Sequence, residues 1–351
     1  MDEALSDLIS GYELAARANM PKEAFDYFAG GAGDEISLEE SRVAWRRHRL
    51  RPHAFPGGAV PDLSIEVLET PVAFPVIVAP TAWQQLAHPG GEVETAAGVS
   101  AAGGLMVVAT RSTMVIEEIA AALSGPWWYQ VYVVNERRIT EELVRRAIGL
   151  GARALLLTAD TPYLGFKRRQ NIPPVSIDQH LANFGAHLGS GTVAADVAHS
   201  IDQDASISLQ TIAWLRDLAG VPVLVKGVLR GDDAAACLDA GAAGVVVSNH
   251  GGRQLDRAIA PAVALPEVVA AVEGRGPVLV DGGVRSGTDV LVALALGATA
   301  TMVGRPVLWA LAAQGASGVQ RLLQGYRDEL AHAMGLAGAA TVARIARDLV
   351  A

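Results

Sequence analysis

The sequence predicts an α/β fold of the (β/α)8 TIM-barrel type, and three observations lead there. Short runs rich in Val, Ile and Leu recur eight times, Ala/Leu-rich segments of helical period separate most of them, and seven of the eight runs end in a polar or special group. Strands that are apolar on both faces and alternate with helices build a parallel sheet. Eight such units close it into a barrel whose strand C-termini face the active site.

The runs are PVIVAPT (75–81), LMVVAT (105–110), PWWYQVYV (126–133), ALLLTAD (154–160), PVLVKGV (222–228), GVVVSNH (244–250), PVLVDGG (277–283) and ATMVGRP (300–306). Their exits carry Thr81, Thr110, Tyr132, Thr158 with Asp160, Lys226, His250, Asp281 with Gly282 and Gly283, and Gly304-Arg305. A doubly wound sheet would place a Gly-rich fingerprint after its first strand. Here Pro80-Thr81-Ala82 stands there instead. Residues 1–74 read as a helical lead-in, 75–310 as the barrel, 163–208 as a long lid after strand four, and 311–351 as C-terminal helices, all in one domain. The GGAG stretch of the lead-in (30–33) reads as a turn rather than a phosphate cradle.

Composition narrows the function. Of 351 residues, 51% are hydrophobic, and the net charge is −9. That balance supplies a large core and no basic excess for binding nucleic acid. The single cysteine, Cys237, excludes an intramolecular disulfide and a Cys-rich metal site, and no metal is expected. No apolar stretch is long enough to span a bilayer, and the start MDEALSDLIS is acidic rather than signal-like. The expectation is a cytoplasmic protein with no membrane partner.

Strands seven and eight are followed by DGGVRSGTDV (281–290) and VGRP (303–306). Glycines there let backbone N–H groups approach an anion, and the following helix N-termini favour it. Barrels commonly hold a ligand phosphate at this place, and Arg285 and Arg305 add charge. Lys226 can stabilise negative charge on a neighbouring ring. His250 can exchange a proton near neutral pH, Asp160 can orient it, and Arg253 can pair with a carboxylate in fork geometry.

On these residues the chain resembles the FMN-dependent α-hydroxy-acid oxidases and dehydrogenases, which include glycolate oxidase, lactate oxidase, mandelate dehydrogenase and the flavin domain of flavocytochrome b2. The resemblance covers nearly the whole chain, through DYFAGGAGDE, APTAWQQLAHPGGE, YQVYV, LTADTP, LVKGV, SNHGGRQLD, LDAGAAG, DGGVRSGTDV and GRP, in that order. It implies FMN as cofactor, a small (S)-2-hydroxy acid as substrate and a homo-oligomer, expected to be a tetramer. It implies His250 as base with Asp160, and Arg253, Tyr27 and Tyr132 on the substrate. Lys226 would lie against the flavin. Further flavin contacts would come from Pro80, Thr81, Ala82, Gln130, Thr158 and Ser248, and its phosphate would sit on Asp281–Arg285 and Gly304-Arg305.

Three positions depart from the family pattern. Ala109 stands where Ser is common, which shifts that flavin contact toward Thr110. Arg111 stands where glycolate oxidase has Trp, facing the substrate tail, so substrates bulkier than glycolate are expected. The family's GRRE is replaced by GFKRRQN, leaving Lys167, Arg168 and Arg169 as candidates for the second carboxylate cation, with Arg168 preferred. The polar, cation-poor stretch 178–206 gives an anionic bilayer little to bind, so O2 is expected as electron acceptor, with H2O2 as product. Open alternatives are a soluble or quinone-linked dehydrogenase, a biosynthetic flavin oxidase acting on a larger hydroxy or amino compound, and a barrel dehydrogenase of the IMP type. The last needs a nucleophilic loop cysteine, whereas Cys237 falls in an Ala-rich helical segment.

Overall fold

The structure is a computed structural model that describes residues 4–55, 57–58, 60–169, 174–184 and 199–351. Its centre is a closed barrel of eight parallel strands: β1 (Val76–Val78), β2 (Leu105–Val108), β3 (Trp127–Val131), β4 (Leu155–Thr158), β5 (Val223–Val228), β6 (Gly244–Val247), β7 (Val278–Val280) and β8 (Ala300–Val303), with β8 pairing back onto β1. All eight expected strands are present. Each of the expected runs except the fifth extends past its strand, and those extensions form loops at the barrel mouth.

Alternation along the strands positions the chemistry. Ile77, Val107, Trp128, Leu156, Leu224, Val246, Leu279 and Met302 form one apolar cluster, while their strand neighbours, among them Val76, Met106 and Leu155, belong to the outer core. The first set therefore fills the barrel interior. Two residues further on, the same face carries Ala79, Ala109, Gln130, Thr158, Lys226, Ser248, Asp281 and Gly304. The interior thus changes from apolar to mostly polar or small in a single step, at the C-terminal mouth.

The opposite mouth is closed by an antiparallel hairpin, Ile65–Val67 with Thr70–Val72, whose Val67 and Val72 join the interior cluster. Trp128 Nε1 donates to Thr70 Oγ1 at 3.3 Å. This hairpin corrects the purely helical reading of the lead-in. Its turn residues Leu68 and Glu69 both have left-handed backbone (φ 50° and 57°), a geometry normally announced by Asn-Gly or Asp-Gly.

The lead-in also supplies helices α1 (Leu5–Asn19), α2 (Lys22–Ala29) and α3 (Ile36–Arg46). Around the barrel follow α4 (Gly91–Ala102), α5 (Ile116–Ala122), α6 (Arg137–Gly149), α7 (Ile177–Leu181), α8 (Leu209–Ala219), α9 (Gly231–Asp239), α10 (Pro261–Val272), α11 (Gly287–Ala295) and α12 (Arg305–Ala337). The expected boundary at 310/311 falls inside α12. That segment starts at Arg305-Pro306, where Pro suits the first turn, and consists of two helices joined across a kink at Gln314-Gly315, whose backbone is non-helical. Cys237 is buried in α9. Among the described residues no helix is long and apolar enough to cross a membrane, and no cluster of His, Cys, Asp and Glu is arranged to hold a metal.

Candidate active site

A cavity of about 970 Å³ opens at the C-terminal mouth of the barrel, the size of a pocket for a cofactor-sized ligand. The SNHGGRQLD segment after β6 organises it. His250, Gly251 and Gly252 are successive left-handed residues (φ 57°, 64° and 73°). For a histidine this conformation is unfavourable, and such strain concentrates where a side chain must be aimed. A Cβ at Gly252 would lie 2.6 Å from the backbone nitrogen of Leu38, so only glycine lets α3 approach this turn.

The remaining residues of the segment each have a partner. Ser248 Oγ accepts from Lys226 Nζ (2.9 Å) and from the backbone N–H of His250 (3.0 Å). Asn249 donates to Ser41 Oγ, and Gln254 donates to the carbonyls of Asp160 and Tyr163. Asp256 accepts from the backbone N–H groups of Asp34 and Ser37 at the start of α3, where the helix's own Glu35 gives no side-chain cap. The motif thus serves structure and site together, fastening the lead-in over the barrel mouth.

His250 Nδ1 lies 3.0 Å from Asp160 Oδ1. Burial raises the Asp160 carboxyl, but His250 and Lys226 outweigh this and hold it below the ordinary carboxylate range. An ionised Asp160 accepts, so Nδ1 carries the proton and Nε2 is left with its lone pair. Burial pushes the His250 imidazole below its ordinary value; Asp160 opposes the shift, while Lys226 and Arg253 add to it. Lys226 is buried, 3.3 Å from Asp281 Oδ2. Burial disfavours its charge, yet Asp281 and Asp160 together keep its affinity for the proton above the ordinary lysine value.

Arg253 Nη1 donates to the carbonyls of Tyr27 (2.7 Å), Phe28 (3.3 Å) and Gly30 (2.9 Å), and its guanidinium sits 4.9 Å above the Tyr27 ring. Arg305 donates to Phe28, Gly251 and Gly30 carbonyls at 2.8–3.0 Å. The end of α2 and the GGAG turn therefore present carbonyls to two arginines, as suits a helix C-terminus. Tyr27 and Tyr132 line the cavity, and burial raises both phenols.

Several expected residues stand elsewhere. Arg168 points outward, 69% exposed, and pairs with Asp34 at 2.5 Å, while Arg169 pairs with Glu35. The cation of this segment that lines the cavity is Lys167, lowered to about 8 by burial and by Arg253 and Arg305. This corrects the preference for Arg168: alternation along the extended segment turns Lys167 inward and Arg168 out. Thr110 is also turned from the cavity, because its hydroxyl donates to the Gln130 carbonyl (2.6 Å) and accepts from Tyr132 N–H (3.0 Å). Gln130 Nε2 donates to Thr158 Oγ1 at 3.0 Å. With Ser248, these groups form a buried layer under the cavity rather than its walls. Pro80, Thr81, Ala82, Gly282, Gly283, Arg285 and Gly304 do line it.

The walls fit FMN. At one end Arg305 is pushed well below the ordinary guanidinium value by burial and by Arg253, Arg285 and Arg42, and Arg42 Nε is buried without a partner among the described residues. Such a group of mutually repelling cations beside the N-termini of α11 and α12 is suited to a phosphate dianion. Elsewhere, Asp281 Oδ1 and Asp160 Oδ2 are buried acceptors that no described residue satisfies. Asp281 can accept from a hydroxylated chain, and Lys226 can face an electron-accepting ring.

Sequence reasoning missed Trp83, after the first strand, and the lid residues His180, Asp202 and Gln203, all of which line the cavity. It also missed buried Glu92, which accepts from Gln84, Thr113 and Met114 backbone N–H groups and so ties the first two strand exits together. The APTAWQQLAHPGGE match held both Trp83 and Glu92, but no spacing rule marks either. Residues 170–173 and 185–198 of the expected lid lie outside the described residues.

Comparison with known proteins agrees with this geometry. Residues 16–351 match the FMN-dependent dehydrogenase family. The chain is 42% identical to glycolate oxidase of Spinacia oleracea, over 98% of this chain and 95% of that one. It is also 42% identical to L-lactate oxidase of Nostoc sp., over 93% of each. Among solved structures it superposes on mandelate oxidase bound to (S)-4-hydroxymandelic acid with a TM-score of 0.89, at 40% identity over 98% of both chains. A mandelate oxidase variant carrying an FMN adduct matches with a TM-score of 0.87, at 40% identity over 97% of this chain and 98% of that one.

Proposed function

This chain belongs to the FMN-dependent dehydrogenase family and is an FMN-dependent hydroxy-acid-oxidising enzyme, and we propose that it converts an (S)-2-hydroxy acid bulkier than glycolate into the 2-oxo acid, with O2 as electron acceptor and H2O2 as product. The observation that carries this reading is the half-buried His250–Asp160 pair at the cavity that Arg253, Lys167 and two protonated tyrosines line. FMN, when bound, supplies the two-electron acceptor. Steady H2O2 formation in air, stoichiometric with acid consumed, is the expected result. Negligible oxygen reactivity with fast quinone reduction would instead make the enzyme a dehydrogenase.

In this reading Arg253 and Lys167 hold the substrate carboxylate. Tyr27 and Tyr132, kept protonated by burial, donate to the carboxylate and the hydroxyl. His250 Nε2 accepts a proton from the substrate, and ionised Asp160 stabilises the resulting imidazolium across the Nδ1–H bond. Lys226, kept cationic by Asp281 and Asp160, stabilises negative charge arriving at the ring beside it. We further infer a cytoplasmic homo-oligomer, consistent with the acidic chain and its single, buried Cys237; sedimentation of the purified protein tests the assembly.

Two predictions follow from the walls. Since His250 is active when neutral and its imidazole is lowered, kcat/KM should rise with pH through a value below 6.5. It should fall again near pH 8 as Lys167 loses its charge. Lys167→Arg should remove the alkaline limb, because a guanidinium stays charged; an unchanged limb would exclude Lys167. Arg305→Ala should weaken FMN binding by about 10-fold or more, given that a hydrogen bond to a charged group contributes roughly 1.5–3 kcal/mol. Equal FMN affinity in the variant and the parent would exclude a direct contact.

A further inference from the structure

The cavity holds a second polar patch that the chemistry above does not use. Arg111 is buried, only 8% exposed. Its Nη2 donates to the Ile201 carbonyl at 2.7 Å, its Nη1 is 3.4 Å from His180 Nε2, and its guanidinium lies 5.7 Å from the Phe184 ring. No carboxylate of the described residues is within ion-pair distance of it. Trp83 is its neighbour: the Trp83 N–H donates to the Arg111 carbonyl at 3.0 Å. The Trp83 ring stacks on His180 at 6.1 Å and meets Tyr27 edge-on at 5.7 Å. Its backbone is left-handed (φ 58°), a strained state for so large a side chain, and its indole N–H is buried with no acceptor among the described residues.

This patch therefore offers donors: a guanidinium, an unsatisfied indole N–H and an imidazole beside them. The carboxylate whose charge acts on Arg111 and His180 is Asp202, which also lines the cavity but is exposed at the rim. Solvent screens a charge so placed. A guanidinium in the interior is screened far less, and a buried cation in contact with a carbonyl, an imidazole and an aromatic ring, its one acting carboxylate out in solvent, is costly until an anion joins it. The α-carboxylate of the substrate already has Arg253 and Lys167. The anion that meets Arg111 belongs to the other end of the molecule.

We propose that Trp83, Arg111 and His180 form a subsite for a second carboxylate, so that the preferred substrates are 2-hydroxydicarboxylic acids with short chains. The proposal rests on the hydroxy-acid reading of the site and narrows it. Arg111 binds the distal carboxylate, the Trp83 indole donates to it, and the stacked His180 ring fixes the indole in place. The oxidation is unchanged: the C2 hydroxyl becomes a carbonyl, and two electrons and two protons leave for O2, giving H2O2.

The test compares isosteric pairs on the purified FMN holoenzyme under anaerobic conditions. (S)-2-Hydroxysuccinate is set against (S)-2-hydroxy-4-methylpentanoate, and (S)-2-hydroxyglutarate against (S)-2-hydroxy-5-methylhexanoate, with kcat/KM for flavin bleaching as readout. At least one diacid is expected to exceed its branched partner by about 10-fold or more, the scale of a charge-assisted hydrogen bond. Arg111→Met should collapse that ratio to about one, Arg111→Lys should keep part of it, and Trp83→Phe should lower it by a few fold. Because Arg111 also holds Ile201, the ratio is the measure rather than either rate alone. Quenching of tryptophan fluorescence by 2-oxoglutarate and by 2-oxo-5-methylhexanoate gives the same comparison as dissociation constants, without turnover. Ratios near one in the parent protein overturn the subsite and leave the hydroxy-acid reading standing. Bleaching by none of the four acids, or by any other hydroxy acid, overturns both.

Discussion

His250→Ala should leave an FMN-loaded, yellow protein that hydroxy acids no longer bleach. General-base contributions are on the order of 10²–10⁴-fold. The upper end is expected here because His250 is itself the proton acceptor, held in place through its Nδ1 by Asp160. FMN binding should survive, since the ring and phosphate walls are built from other side chains. Asp160→Asn should fall between the two enzymes, because an amide still fixes the imidazole but cannot stabilise its cation. Rapid mixing of each variant with substrate reads the effect directly, and a reductive rate near that of the parent in His250→Ala would remove this residue from the role of base.

The second large effect is on stability. Gly283 has φ 83°, and a Cβ there would lie 1.9 Å from the Ser41 carbonyl oxygen. Backbone, not a flexible side-chain tip, stands in the way. Gly283→Ala combines left-handed strain of about 1–3 kcal/mol with a contact that α3 can relieve only by moving off the barrel. A total loss beyond about 4 kcal/mol is expected, with poor recovery of folded, FMN-binding protein. Substitution at Gly274, also left-handed but with open space around its Cβ position, should show only the strain component. Similar unfolding midpoints for the two alanine variants, measured with FMN saturating, would contradict the clash.

The barrel was legible in the sequence because a parallel sheet buried on both faces leaves near-continuous apolar runs. The polar layer was legible from the strand exits at Lys226 and Asp281, whereas Gln130 and Ser248 were named only through the family resemblance, since they look ordinary until alternation from Trp128 and Val246 is followed upward. The hairpin at 65–72 was not legible, since Leu68-Glu69 breaks the usual turn chemistry. Trp83 and Asp202 reach the cavity from irregular segments and His180 from the five-residue α7, where side-chain directions follow tertiary packing rather than any long period. Lys167 and Arg168 were indistinguishable by composition, and only the path of the segment, with Arg168 drawn outward to Asp34, separates them.

The most direct test of the whole account is an anaerobic titration of the purified yellow protein with (S)-2-hydroxy acids, following flavin absorbance and 2-oxo acid together. The account predicts complete bleaching by at least one such acid, with one 2-oxo acid formed per flavin, and a far slower response to its (R) enantiomer. A flavin that stays oxidised in the presence of every (S)-2-hydroxy acid tried, while dithionite still reduces it, would contradict the assignment of this cavity to hydroxy-acid oxidation.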